Sequence, residues 1–163
     1  MSTTKKNIMM PVVIFVTFLL LSFPVKAEDI AETIKYAAPT MQQTLGFIDK
    51  LSGGNFTFDQ SQCIATTRKA IHTKWYEYHV PLKRVNPSPD YVRTHLECVE
   101  LYIDGSEKEI KRIESNGDVE MKDKVDICTP DRASAEKLAR AIRYLIGLCG
   151  GPPCEDCDPY MWQ

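Results

Sequence analysis

The sequence predicts an α+β domain: a twisted antiparallel sheet of about five strands, partly rolled, with an N-terminal helical segment and a closing C-terminal helix. Three observations carry this. Residues 128–151 (CTPDRASAEKLARAIRYLIGLCGG) place Leu138, Ala141, Ile142, Leu145, Leu148 and Cys149 at three- and four-residue steps, which makes one apolar helix face opposite Arg132, Lys137, Arg140 and Arg143. Tyr76, Tyr78, Val80 and Leu82 alternate with Glu77, His79, Pro81 and Lys83, the period of a half-buried strand. Asn116-Gly117 joins two further extended runs as a hairpin signal.

The N-terminus precedes the fold. Lys5 and Lys6 lead into an apolar core of 13 residues (Pro11 to Phe23), and Val25 and Ala27 occupy the third-last and last positions before a cut. This is a secretory signal peptide over residues 1–27. Its core is shorter than the roughly 20 residues a membrane span needs, so no span is expected after cleavage. The mature chain of 136 residues then divides into a single α+β domain, 28–151, and an irregular cysteine-containing tail, 152–163. Removing three lysines with the signal leaves 17 basic against 22 acidic side chains, a net charge of −5. That balance argues against nucleic acid or an anionic membrane as the partner.

From Asp29 to Leu51 the pattern is helical, with Asp29 and Glu32 at capping-box spacing. Pro39 interrupts it, and a break that starts a second helix at Pro39 is preferred over a kink. Ser52-Gly53-Gly54-Asn55 turns the chain. Two strands follow between Phe56 and Val85, the first over about 62–70. Pro81 cannot donate to a ladder, which puts the second at a sheet edge or ends it in a bulge. After the loop Asn86 to Asp90, Tyr91 to Ile103 is one extended run whose apolar parity switches between Cys98 and Val99, through a bulge or burial on both sides. Glu109 to Glu114 is a charged strand. Beyond the hairpin, Val119, Met121, Val125 and Ile127 keep one parity apart from Asp123. In the closing helix, Thr129 is the expected N-cap, Pro130 the first helical residue, and Gly150-Gly151 the stop.

All six cysteines (Cys63, Cys98, Cys128, Cys149, Cys154 and Cys157) lie in the mature chain. Export makes them disulfide candidates, with 15 possible connectivities and a stabilisation of about 2–4 kcal/mol for each bridge. Cys154-Glu155-Asp156-Cys157 is a CxxC, but prolines and acids surround it where a redox thiol needs a helix N-terminus or a cation. A zinc site at Cys149, Cys154 and Cys157 conflicts with an oxidising compartment. His72, His79 and His95 lie in or near three strands, and the parity of His79 assigns it to a solvated face. Ser88 and Ser106 lack the flanks of a catalytic serine. No Gly-rich phosphate loop or calcium loop is present. Asn55-Phe56-Thr57 forms a glycosylation sequon, meaningful only in a eukaryotic secretory pathway. Tyr160 and Trp162 either dock on the body or offer a contact to a partner, docking being preferred.

The segments TLGFIDKLSGG, FDQSQC, YEYHVPLKRVNPSP and ASAEKLARAIRYLIGLCGG occur in an order that resembles a loose group of exported bacterial proteins with a pleckstrin-homology-like layout: helix, antiparallel strands and a closing helix ending in a Leu-Cys-Gly pattern. The resemblance covers about residues 40–151. It implies an exported domain, transfers no catalytic or ligand residues, and makes Cys63 and Cys149 a bridge. The tail lies outside the pattern, and five strands are evident where a full pleckstrin-homology barrel has seven.

The resulting expectation is a non-enzymatic, secreted or periplasmic binding domain with no cofactor. It recognises a protein partner, with an inhibitor-like or immunity-like role as one version. The competing expectation is a thiol-disulfide oxidoreductase or redox sensor using Cys154 and Cys157.

Overall fold

The computed structural model describes residues 38–103, 105, 108–152, 154 and 157. The expected signal peptide, the expected Asp29/Glu32 capping box, and Tyr160 and Trp162 fall outside them. Two helices and eight strands follow in the order α1 (Met41–Leu51), β1 (Phe56–Asp59), β2 (Ile64–Ile71), β3 (Lys74–Pro81), β4 (Val92–His95), β5 (Cys98–Tyr102), β6 (Ile110–Glu114), β7 (Val119–Lys122), β8 (Lys124–Cys128) and α2 (Arg132–Leu148). The strands build two antiparallel sheets, β1-β2-β3-β6-β7 and β4-β5-β8. This is the predicted α+β class; the three strands beyond five are β1 and those gained where the runs 91–103 and 119–127 each divide in two, and they form two sheets instead of one.

Helix α1 starts at Met41, two residues after Pro39, so Pro39 precedes the helix instead of standing in its first turn as expected; the segment before residue 38 lies outside the described residues. Thr40 is its N-cap in a reciprocal capping box: the Gln43 N–H donates to Thr40 Oγ1 at 3.3 Å and the Thr40 N–H to Gln43 Oε1 at 2.8 Å. Pro39 stays outside, where its carbonyl accepts from the Tyr144 hydroxyl at 3.0 Å. Ile48 is fully buried on the inward face.

Four sequence expectations need correction. First, Phe56 to Val85 holds three strands, because β1 pairs with β2 from Phe56↔Thr67 to Asp59↔Ile64. Second, β3 is interior, between β2 and β6. Pro81 is tolerated there because the Leu82 N–H bonds the Cys63 carbonyl on the β2 side. The Pro81 nitrogen therefore faces the β6 side, past the last β3–β6 pair, His79 with Lys111. Third, the run from Tyr91 to Ile103 is a hairpin. A two-residue turn, Leu96-Glu97, with Leu96 at φ +53°, separates β4 from β5, and this turn accounts for the parity switch at Cys98. Fourth, Thr129 is not the cap of α2. Its N–H and hydroxyl are taken up by the Glu97 carbonyl, both at 2.9 Å, and Asp131 caps instead, its carboxylate accepting from the Ser134 N–H at 2.8 Å. That backbone donor holds the Asp131 carboxyl below its usual range.

The Asn116-Gly117 hairpin forms as expected, as a three-residue loop. The Glu114 N–H bonds the Asp118 carbonyl, and Gly117 at φ +89° makes the left-handed step. The apolar parity running from Val119 to Ile127 spans two strands in different sheets. At Asp123 the chain leaves the larger sheet for the smaller, and the Asp123 carbonyl accepts from the Ile103 N–H at 3.0 Å.

Helix α2 lies against α1, β4 and β5. Ala135, Leu138, Ala139, Ala141, Ile142, Leu145 and Ile146 are buried with Val92, Val99, Leu101, Val125 and Ile127 in one core. Gly150 at φ +74° ends the helix. The Gly151 N–H returns to the Ile146 carbonyl and the Gly150 N–H to Gly147, a Schellman closure.

Candidate binding face

Three cysteine pairs stand at bonding distance. Cys63, just before β2, meets Cys149 at the C-cap of α2 with a Cα separation of 5.8 Å, the pairing the resemblance implies. Cys98 and Cys128 are direct partners in the β5–β8 register. Cys154 joins Cys157 at a Cα separation of 5.3 Å. Helix α2 is therefore tied at its C-cap to the larger sheet and, three residues before its N-cap, to β5. The Cys157 sulfur lies 4.0 Å from the Arg140 carbonyl oxygen, midway along α2.

The three histidines are not brought together. His72 lies in the turn between β2 and β3, His79 on the outer face of β3 and His95 at the end of β4. Among the described residues no group of three His, Cys, Asp or Glu side chains could hold a metal ion. Among them, too, no helix is long and apolar enough to cross a membrane.

Polar chemistry gathers instead on the outer faces of the two sheets. On the smaller sheet, Arg93, Glu100 and Asp126 share a row across β4, β5 and β8, and Tyr102 and Lys124 share the next. Glu100, 7% exposed, accepts from Arg93 Nε at 2.6 Å, Lys124 Nζ at 2.9 Å and the Tyr102 hydroxyl at 3.0 Å. Lys124 first, then Arg93 and Tyr102, pull its carboxyl down to about 2 against the opposing effect of burial. The Arg93 guanidinium also stacks 4.7 Å from the Tyr102 ring centre. This cluster satisfies itself.

The outer face of the larger sheet differs. Strand alternation and register put Thr57, Thr66, His79, Lys111 and Met121 in one cross-strand row, and Arg68, Glu77, Ile113 and Val119 in the next. Glu77 joins its neighbours: Arg68 Nε lies 2.7 Å from one carboxylate oxygen and His79 Nε2 2.8 Å from the other. The Arg68 contact is the main reason that the Glu77 carboxyl is lowered, with His79 second. Trp75 stands one step along β3, its ring 5.9 Å from the Arg68 guanidinium carbon. Trp75 on β3 is 45% exposed, and toward β7 the face becomes apolar and uncovered, with Met121 42% and Val119 55% exposed beside half-buried Ile113.

Arg68, Trp75 and Lys111 were not singled out by the sequence reading, and Val119 and Met121 were read only as strand positions. A signal for the first two existed. Ile71 pairs with Lys74 around the two-residue turn His72-Thr73, and that register alone sets Arg68 opposite Glu77 and Ala70 opposite Trp75. His72, at φ +55°, holds the left-handed position where glycine would have marked the turn. No protein-family model, curated protein or solved structure matches this chain.

Proposed function

We propose that the protein is an exported, disulfide-bonded binding domain without catalytic activity, which recognises a protein partner through the outer face of its five-stranded sheet. The observation that carries this reading is the exposure of Trp75, Val119 and Met121, with half-buried Ile113, on the face that also holds the cations Arg68 and Lys111. Large apolar side chains with an aromatic and an arginine at the border are what interface centres use, because they gain most from leaving water. An inhibitor-like or immunity-like role is the version that suits an exported module of this size. Export, to the periplasm or beyond the cell, rests on the signal-peptide features of residues 1–27 and agrees with cysteines placed in pairs. The pleckstrin-homology-like resemblance belongs to this proposal and is supported by the helix–strands–helix order.

Photo-crosslinking tests it. A photoreactive residue at Val119, in protein incubated with the native extracellular or periplasmic fraction, should yield one discrete adduct that Met121→Asp removes. Absence of a saturable adduct would sink the reading.

The competing redox reading has a closed Cys154–Cys157 pair to build on, yet the Cys157 sulfur faces a helix carbonyl, which disfavours a thiolate. A free-thiol count separates the two: none in the purified protein, with no change of redox poise in Cys157→Ser, leaves the binding reading.

A further inference from the structure

The β1–β3 end of the same outer face holds a groove of about 430 Å³, lined by Gly54, Asn55, Thr57, Thr66, Arg68, Glu77 and His79. Its size falls within the range of small-molecule sites. The geometry points to a binding site for a neutral saccharide unit, a ligand distinct from the protein partner proposed for the apolar strip.

Charge decides the class. Arg68 and Glu77 are the full charges of the lining and they neutralise each other at 2.7 Å. A ligand with a net negative charge meets the Glu77 carboxylate, and one with a net positive charge meets Arg68. An apolar ligand would strand the polar groups without partners. What remains available is a mixture of donors and acceptors. Arg68 uses its Nε on Glu77 and keeps terminal N–H groups for a ligand. Each Glu77 oxygen, holding one partner, retains a second lone-pair direction. The Asn55 amide nitrogen spends one hydrogen on the Ser52 carbonyl at 3.3 Å and leaves its oxygen open. The hydroxyls of Thr57 and Thr66 make no hydrogen bond among the described residues, and both are two-way groups. Vicinal hydroxyls, each donating one hydrogen bond and accepting others, match such a set. The site is shallow and rigid, since its side chains stand on β1, β2 and β3 with fixed register.

The test is a titration of the purified, isotope-labelled protein with four neutral disaccharides (cellobiose, maltose, lactose and N,N′-diacetylchitobiose), followed at the backbone amides of Thr57, Thr66, Arg68, Glu77 and His79. At least one disaccharide should give saturable shifts confined to these positions. Arg68→Gln and Thr66→Val should each weaken that binding by about tenfold, equivalent to about 1.4 kcal/mol. Thr66→Ser should restore it, and Val119→Asp should leave it unchanged, so that failure here is separable from failure of the protein-docking reading. The spectra also report whether each variant is folded. The proposal is overturned by the absence of saturable shifts with all four sugars, by shifts that survive both Arg68→Gln and Thr66→Val, or by stronger shifts with acetate or inorganic phosphate.

Discussion

The two sheets present outer faces built from similar residues but differing in how far those residues pair with one another. On the smaller sheet Glu100 collects Arg93, Lys124 and Tyr102 within hydrogen-bonding reach, and Cys98–Cys128 crosses the same face. Glu100, Arg93, Lys124 and Asp126 are ion-paired within their own chain there, although the buried Asp126 Oδ1 takes no hydrogen bond among the described residues. On the larger sheet the ionic cluster stops at Arg68, Glu77 and His79, and the surface beyond it carries Trp75, Val119 and Met121 in contact with water. A face that satisfies itself contributes to the fold and has little left to offer a partner. A face that leaves apolar area and open hydrogen-bonding groups exposed gives up stability that only an external contact recovers.

This contrast can be probed by perturbing first the architecture and then the faces. Replacing Cys63 and Cys149 together by serine removes a crosslink spanning 86 residues. Stability to urea should drop by about 4 kcal/mol on the chain-entropy estimate, while binding at saturating partner and permissive temperature persists. A binding loss without a stability loss would place function on the crosslink instead. Leu138→Ala, at a fully buried position of α2, should cost about 3 kcal/mol in the same assay.

Glu100→Gln sharpens the comparison from the self-satisfied side. At neutral pH it should cost about 1–2 kcal/mol, because Arg93 and Lys124 are half-exposed and regain water when their carboxylate goes. The Glu100 carboxyl is depressed to about 2 in the fold, so its contribution is complete above the unfolded value near 4.5 and is lost as pH falls through about 2. Thermal denaturation between those limits should therefore show a steeper loss for the native protein than for Glu100→Gln. Parallel curves would contradict the network. The smallest stability change belongs to the open face: Val119→Asp with Met121→Asp should alter unfolding free energy by less than about 0.5 kcal/mol, since both side chains already face water.

What the sequence made legible follows the same division. Helix α2, strand β3 and the Asn116-Gly117 hairpin were readable because burial of one face imposes a period, and because Gly117 adopts a backbone conformation that few residues tolerate. The turn joining β2 to β3 and the β4–β5 hairpin were hidden, since His72 and Leu96 take positive φ without a glycine to announce it. The passage from β7 to β8 was hidden because a bend at Asp123 preserves parity while moving the chain between sheets. Thr129 looked like a cap because composition records a hydroxyl but not its competing partner, the Glu97 carbonyl 32 residues away. The proposed binding face was invisible for a related reason. It is assembled across β1, β2, β3, β6 and β7, and depends on registers that only the whole sheet determines.

The most direct measurement compares photo-crosslinking from the two faces: a photoreactive residue at Val119 on the larger sheet and another at Tyr102 on the smaller, each in folded protein exposed to the same native fraction. The account predicts a saturable protein adduct from position 119 and none from position 102. Equal adducts from both positions, or an adduct from 102 alone, would contradict it.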